Sequence, residues 1–206
     1  PGSDGRTAQV LNPDRHASER FPQQVMELQA WVQGRDLPPG HLGHGIHAYP
    51  AADTAPALWM LGSSDYGAQL AAHLGLPYAF AWFITDGQGA DEALAIYRDS
   101  FRASAGLSRP HATVCVWALA ADTDAEAWRL FESRARWRMD RNQGRLGPLL
   151  PPEQAVREYS AAEQLALERL RGNALVGSAA TVADKLRQLA RRLAVDELVL
   201  ITWTHD

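Results

Sequence analysis

The stretch LWMLGSSDYGAQLAAHLGLPYAFAWF, residues 58–83, decides the fold. It reads as an apolar strand over 58–61, a Gly62-Ser63-Ser64 turn, a small-residue helix over 67–74, a Leu-Gly-Leu-Pro stop and a second apolar strand over 78–84. That order is one βαβ unit, with parallel strands joined by a right-handed crossover. Gly62 has no Cβ, so the chain can turn sharply there and a ligand can approach the backbone. Ser63 and Ser64 add two hydroxyls ahead of a helix, from about Gly67, whose first N–H groups lack intrahelical partners and carry the positive end of its dipole. Two readings of the turn stand side by side: a phosphate cradle, or a plain helix cap from Ser64 or Asp65.

Outward from this unit, helices and strands alternate. Upstream, residues 19–33 place Phe21, Val25, Leu28 and Val32 at helical spacing and stop at Gly34. Residues 34–57, rich in Gly, Pro and His, form a long irregular connection. Downstream, the pattern predicts helix 90–103, strand 113–120, helices 124–141, 153–171 and 181–193, and strand 197–203. The segments YAFAWFI, TVCVWALA and ELVLITW are almost continuously apolar, as strands buried on both faces are. Such strands alternating with helices define an α/β protein with a parallel sheet.

The quoted run resembles the bacterial luciferase-like flavin-dependent oxidoreductases, and most closely their non-luminescent bacterial branch. The resemblance takes in PGSDGRTAQVL, ERFPQQVMELQAWV, the long GIHAYPAADTAPALWMLGSSDYGAQLAAHLGLPYAFAWF block and ALAIYRDSFRAS. It continues through VWALAADTDAEAWRL, VGSAATVADKL and DELVLITWTHD, so it covers nearly the whole chain. It implies a (β/α)8 TIM-barrel family, of which residues 1–206 are the C-terminal part of a single barrel domain beginning after the fourth strand. Four strands are legible here, whereas a full barrel has eight and about 250 residues. Four strands cannot close around their inner face. Each buried-type side chain left wet there forfeits about 1.5–3 kcal/mol, so the chain should need the missing N-terminal half or a second copy, or should aggregate.

In this family the turn matching Gly62-Ser63-Ser64 holds the phosphate of FMN. A tryptophan matching Trp82 stands beside the flavin ring in bacterial luciferase. From its residues alone Trp82 is equally a core side chain, and the nearest branch often has histidine near it. The resemblance implies an FMN-dependent monooxygenase taking reduced flavin, O2 and a small organic substrate, with a flavin reductase as a further partner. A flavin-binding or structural half-barrel remnant, and a deazaflavin-dependent oxidoreductase of the same superfamily, are the alternatives. No catalytic side chain is assigned, since the cofactor carries the difficult chemistry.

Composition narrows the rest. The chain has 206 residues, 46% apolar and 21% charged, which is ordinary for a globular bacterial enzyme of the cytoplasm. A net charge of −4, with no basic cluster interleaved with aromatics, argues against nucleic acid. The longest apolar runs fall short of the ~18 residues of a membrane span, and the N-terminus lacks signal-peptide order. Cys115, the single cysteine, sits in a strand as a buried thiol. His41, His44 and His47 lack a zinc spacing, so no metal is expected. His73 reads as exposed, whereas His205, after the last strand, has a mechanistic position. Trp203 could edge the flavin cavity, while Trp59 and Trp117 read as packing. Gly177-Ser178 reads as a turn and N-cap, with a second phosphate contact as the other reading. Glu126, Glu132, Glu163 and Glu168 read as solvated helix faces.

Overall fold

The computed structural model describes residues 5–14, 16–51 and 53–205, and the chain divides into two compact units, residues 1–58 and 59–206. The first four residues of PGSDGRTAQVL and the last of DELVLITWTHD lie outside the described residues. In the first unit, α1 (Gly5–Leu11) precedes α2 (Phe21–Val32), which lies within the predicted helix 19–33, starting two residues later with a proline in its first turn. The Gly/Pro-rich connection after α2 is held by local hydrogen bonds. His41 Nε2 donates to Glu27 (3.0 Å) while its Nδ1 accepts from the Gly43 N–H, and His44 Nδ1 donates to the Leu37 carbonyl at 2.7 Å.

The second unit runs β1 (Met60–Gly62), α3 (Asp65–Leu74), β2 (Tyr78–Phe80), α4 (Trp82–Thr85), α5 (Ala90–Ser100), β3 (Ala112–Ala121), α6 (Asp124–Asn142), α7 (Pro152–Ala155), α8 (Ala161–Gly172), β4 (Leu175–Ser178), α9 (Ala179–Leu193) and β5 (Leu198–Ile201). All strand pairs are parallel, as the α/β reading required. Met60 pairs with Tyr78, Tyr78 with Ala112, and Val114 with Leu198, so β1, β2, β3 and β5 lie side by side in the predicted order.

One strand is additional. The first part of β3 serves β2 and β5, whereas its last four residues, Ala118 to Ala121, pair with β4. Residues 122–174 thus form an excursion that leaves the end of one strand and returns beside it. β4 went unread because LVGS is too short and too glycine-bearing to stand out from a helix cap.

Register assigns the faces, because side chains alternate along a strand. Tyr78, Phe80, Val114, Val116 and Leu198 share one face, where the Tyr78 ring meets Tyr97 of α5 at 5.4 Å. The Tyr97 hydroxyl donates to the Leu76 carbonyl and accepts from the His111 N–H, tying α5 to the segments entering β2 and β3. Leu61, Ala79, Thr113, Cys115, Trp117, Val199 and Ile201 occupy the other face. There α6 covers the end near Trp117, whose ring lies 6.0 Å from Phe131. Elsewhere the sheet is open: Leu61 and Leu200 are each 55% exposed, on opposite faces.

Candidate functional site

The turn after β1 follows from its glycines. A Cβ on Gly62 would stand 3.4 Å from the Gly67 Cα, and the reciprocal distance is the same. The two bare backbones therefore let the first turn of α3 close onto the end of β1. Gly67 is buried in that contact, beneath the turn rather than at its surface. Ser63 is half-buried and Ser64 exposed. Ser64 is the N-cap residue in extended conformation, yet its hydroxyl makes no capping bond. The three helices α6, α8 and α9, by contrast, are capped by Thr123, Ser160 and Ser178 side chains. Here two serines directly precede the first N–H groups of a ten-residue helix whose first turn carries Asp65. That donor set fits a phosphate. Below it, the Tyr78 hydroxyl reaches the Gly62 carbonyl at 3.4 Å, and burial, then the Asp65 charge, push its phenol far up, so it is a neutral donor.

Trp82 lies next door. Gly62 pairs with Phe80, the Ala81 N–H donates to the Gly62 carbonyl at 2.8 Å, and Trp82 follows. The turn and Trp82 thus stand at the same ends of neighbouring strands, where such sheets place their ligands. Trp82 opens α4 and is not part of the strand, contrary to the reading of strand 78–84. The cause is remote: Arg138 of α6 donates to the Phe83 and Ile84 carbonyls (2.7 and 3.2 Å), so these do not need a neighbouring strand. The indole is 7% exposed, packed beneath Gly87 and with the Arg192 guanidinium 5.4 Å from its ring centroid.

Beside Trp82 lies a charged cluster that sequence reading missed. Asp86 Oδ1 accepts from Arg134 and Arg138, both at 3.0 Å, and both arginines are 4% exposed. Arg134 also stacks over Trp117 (4.4 Å) and Trp203 (5.1 Å). Burial pulls its guanidinium down to about 10 against the opposing pull of Asp86, so it stays charged at neutral pH. The available signal was helical spacing: the buried stripe Ala127, Phe131 of α6 continues into Arg134 and Arg138.

The other candidates separate. Trp203 packs against Trp117 and Trp137, at 5.7 and 5.2 Å, inside that cluster. The Gly177-Ser178 turn already holds an anion, since Asp124 accepts from the Ser178 N–H, and Ser178 caps Thr181. Cys115 is buried, and burial raises its thiol pKa. His73 and His205 are exposed. Glu163 is no solvated group: it forms a capping box with Ser160 and an ion pair with Arg157, its side chain 13% exposed. Among the described residues no group of three or more His, Cys, Asp or Glu side chains could hold a metal ion, and no helix is long and apolar enough to cross a membrane.

Comparison with known proteins closes the description. The sequence profile of the luciferase-like monooxygenases matches residues 28–197. A luciferase-like monooxygenase of Escherichia coli K12 is 37% identical over 204 residues, which are 97% of this chain and 58% of that protein. The crystal structure of apo-MsnO8 superposes with a TM-score of 0.82 at 30% identity, covering 98% of this chain and 60% of that one. The monooxygenase RslO1 of Streptomyces bottropensis shares the fold at a TM-score of 0.58 and 16% identity, over 92% and 55% of the two chains. The chain therefore spans somewhat over half the length of the relatives it matches.

Proposed function

The chain belongs to the luciferase-like monooxygenase family, and on that premise we propose that it is the C-terminal part of an FMN-dependent monooxygenase domain. The observation that carries this reading is the uncapped turn at Ser63 and Ser64. Their hydroxyls and the first N–H groups of α3 hold the cofactor phosphate, with the helix dipole adding to the attraction. Gly62 and Gly67 act beneath the site by setting the approach of helix to strand, and Trp82 walls the neighbouring space from water. Reduced FMN, when bound, supplies the electrons for O2 activation and oxygen transfer to a small organic substrate. The remaining strands of the domain, a flavin reductase and a cytoplasmic setting complete the proposal.

Titration of the intact protein with FMN, followed by flavin fluorescence, tests it. Each charge-assisted hydrogen bond is worth about 1.5–3 kcal/mol, so Ser63→Ala/Ser64→Ala should weaken binding by about 3–6 kcal/mol, with the backbone donors keeping a residual site. Unchanged affinity in that variant, or a deazaflavin bound in place of FMN, overturns the reading.

A further inference from the structure

Beside Trp82 lies a cavity of about 670 Å³, within the range that holds small-molecule ligands. Its walls carry Arg138, Arg169 and Arg192, and Asp86 is the one carboxylate among its lining residues. That carboxylate is already shared between Arg134 and Arg138. Arg192 has only a distant partner, Asp91 at 3.9 Å, and the exposed Arg169 side chain points no hydrogen bond at the protein. Thr85 and Arg138 also line it, their unpartnered hydroxyl and Nε closed off behind the wall. Trp82, Leu170 and Met139 give the lining its apolar part, each 7% exposed or less. Positive charge in excess, two exposed guanidinium groups and a partly apolar lining together describe a receptor for an anion with an apolar body.

We infer that this cavity binds a small organic anion, its carboxylate, sulfonate or phosphate group paired with Arg169 and Arg192 and its body laid against Trp82. The site is separate from the turn at Ser63 and Ser64. Naming the anion as the substrate rests on the FMN-monooxygenase reading; the binding does not. Arg138 sits at the base, fixed by Asp86 and the α4 carbonyls, and orients the loop that forms the wall.

Benzoate and its neutral isostere benzamide are the probes, titrated into the intact protein by isothermal calorimetry at low salt. Benzoate should bind at least tenfold more tightly than benzamide and weaken as salt rises. Arg169→Gln/Arg192→Gln, two exposed positions whose loss leaves the fold intact by its melting curve, should weaken benzoate at least tenfold and leave FMN affinity unchanged. Ser63→Ala/Ser64→Ala should leave benzoate binding unchanged. Absent benzoate binding, equal affinities for the two probes, or full benzoate binding by the arginine variant overturns the inference. Loss of FMN in the arginine variant also overturns it, by making the cavity part of the flavin site. Failure of the serine variant to lose FMN would sink the cofactor reading alone and leave this site standing.

Discussion

Two strands of this chain end in Gly-Ser and pass directly into a helix, and the two helix N-termini are opposite in state. At α9, Ser178 caps the Thr181 N–H, and the carboxylate of Asp124, 54 residues away, accepts from the Ser178 N–H. At α3, Ser64 caps nothing. The glycines differ in the same sense. Gly177 sits at φ +154, and a Cβ there would stand 2.6–2.8 Å from Thr181 and Asp124, whereas one on Gly62 would come no nearer than 3.4 Å to the Gly67 backbone and 3.7 Å to the Tyr78 ring. The positive end of a helix attracts an anion in both places. One N-terminus has a carboxylate hydrogen-bonded in place; the other carries Asp65 in its first turn and, on the proposed reading, leaves the capping position to a ligand.

The largest test of this contrast is at the glycines. Gly177→Ala should cost about 3 kcal/mol of stability through overlap with Asp124 and Thr181, and Gly62→Ala about 1 kcal/mol or less. Urea unfolding of both variants checks it, and equal costs would break the comparison. Next come the serines. Ser178→Ala should lose about 1 kcal/mol for a working cap, while Ser64→Ala stays within about 0.5 kcal/mol because its hydroxyl bonds no protein group. A stability loss at Ser64 as large as at Ser178 would mean that the open turn is structural.

The smallest effect is the pH dependence of Asp124. Its hydrogen bond from the Ser178 N–H holds the carboxyl below its usual value of 3.8. A depressed folded-state pKa contributes stability above the unfolded value and loses it as pH falls through the folded one. Asp124→Asn should therefore melt below the wild type at neutral pH, with the gap narrowing as pH drops below about 4. A gap that does not change with pH would remove the carboxylate charge from the account.

What was legible in the sequence was what local patterns determine. The unbroken apolar runs at β2, β3 and β5 and the Gly-Ser-Ser turn predicted the parallel strands, their order and the place of Ser63 and Ser64. What was missed depends on distant partners. The run YAFAWFI scans as one strand, yet it bends after Phe80 because a guanidinium from α6 takes two of its carbonyls. Arg134 and Arg138 look like two more solvated arginines until Asp86, in a left-handed backbone conformation 48 and 52 residues away, draws both into the interior. The break between α7 and α8 was readable in principle, since Ser160 and Glu163 have capping-box spacing, and the single helix predicted over 153–171 overlooked it.

The double use of β3 has a consequence for how this fold can vary. Ala121 and Ser178 are paired neighbours, so the excursion between them is a closed loop whose two ends meet. Doubling the length of such a loop costs only about 0.6 kcal/mol of closure entropy. Within it lie Arg138 and Arg169, two of the three arginines that line the cavity beside Trp82, whereas the third, Arg192, belongs to α9. The Ser63-Ser64 turn lies outside it, between β1 and α3. The chain is thereby divided into an excursion that carries part of the charge beside Trp82 and a sheet that carries the Ser63-Ser64 turn.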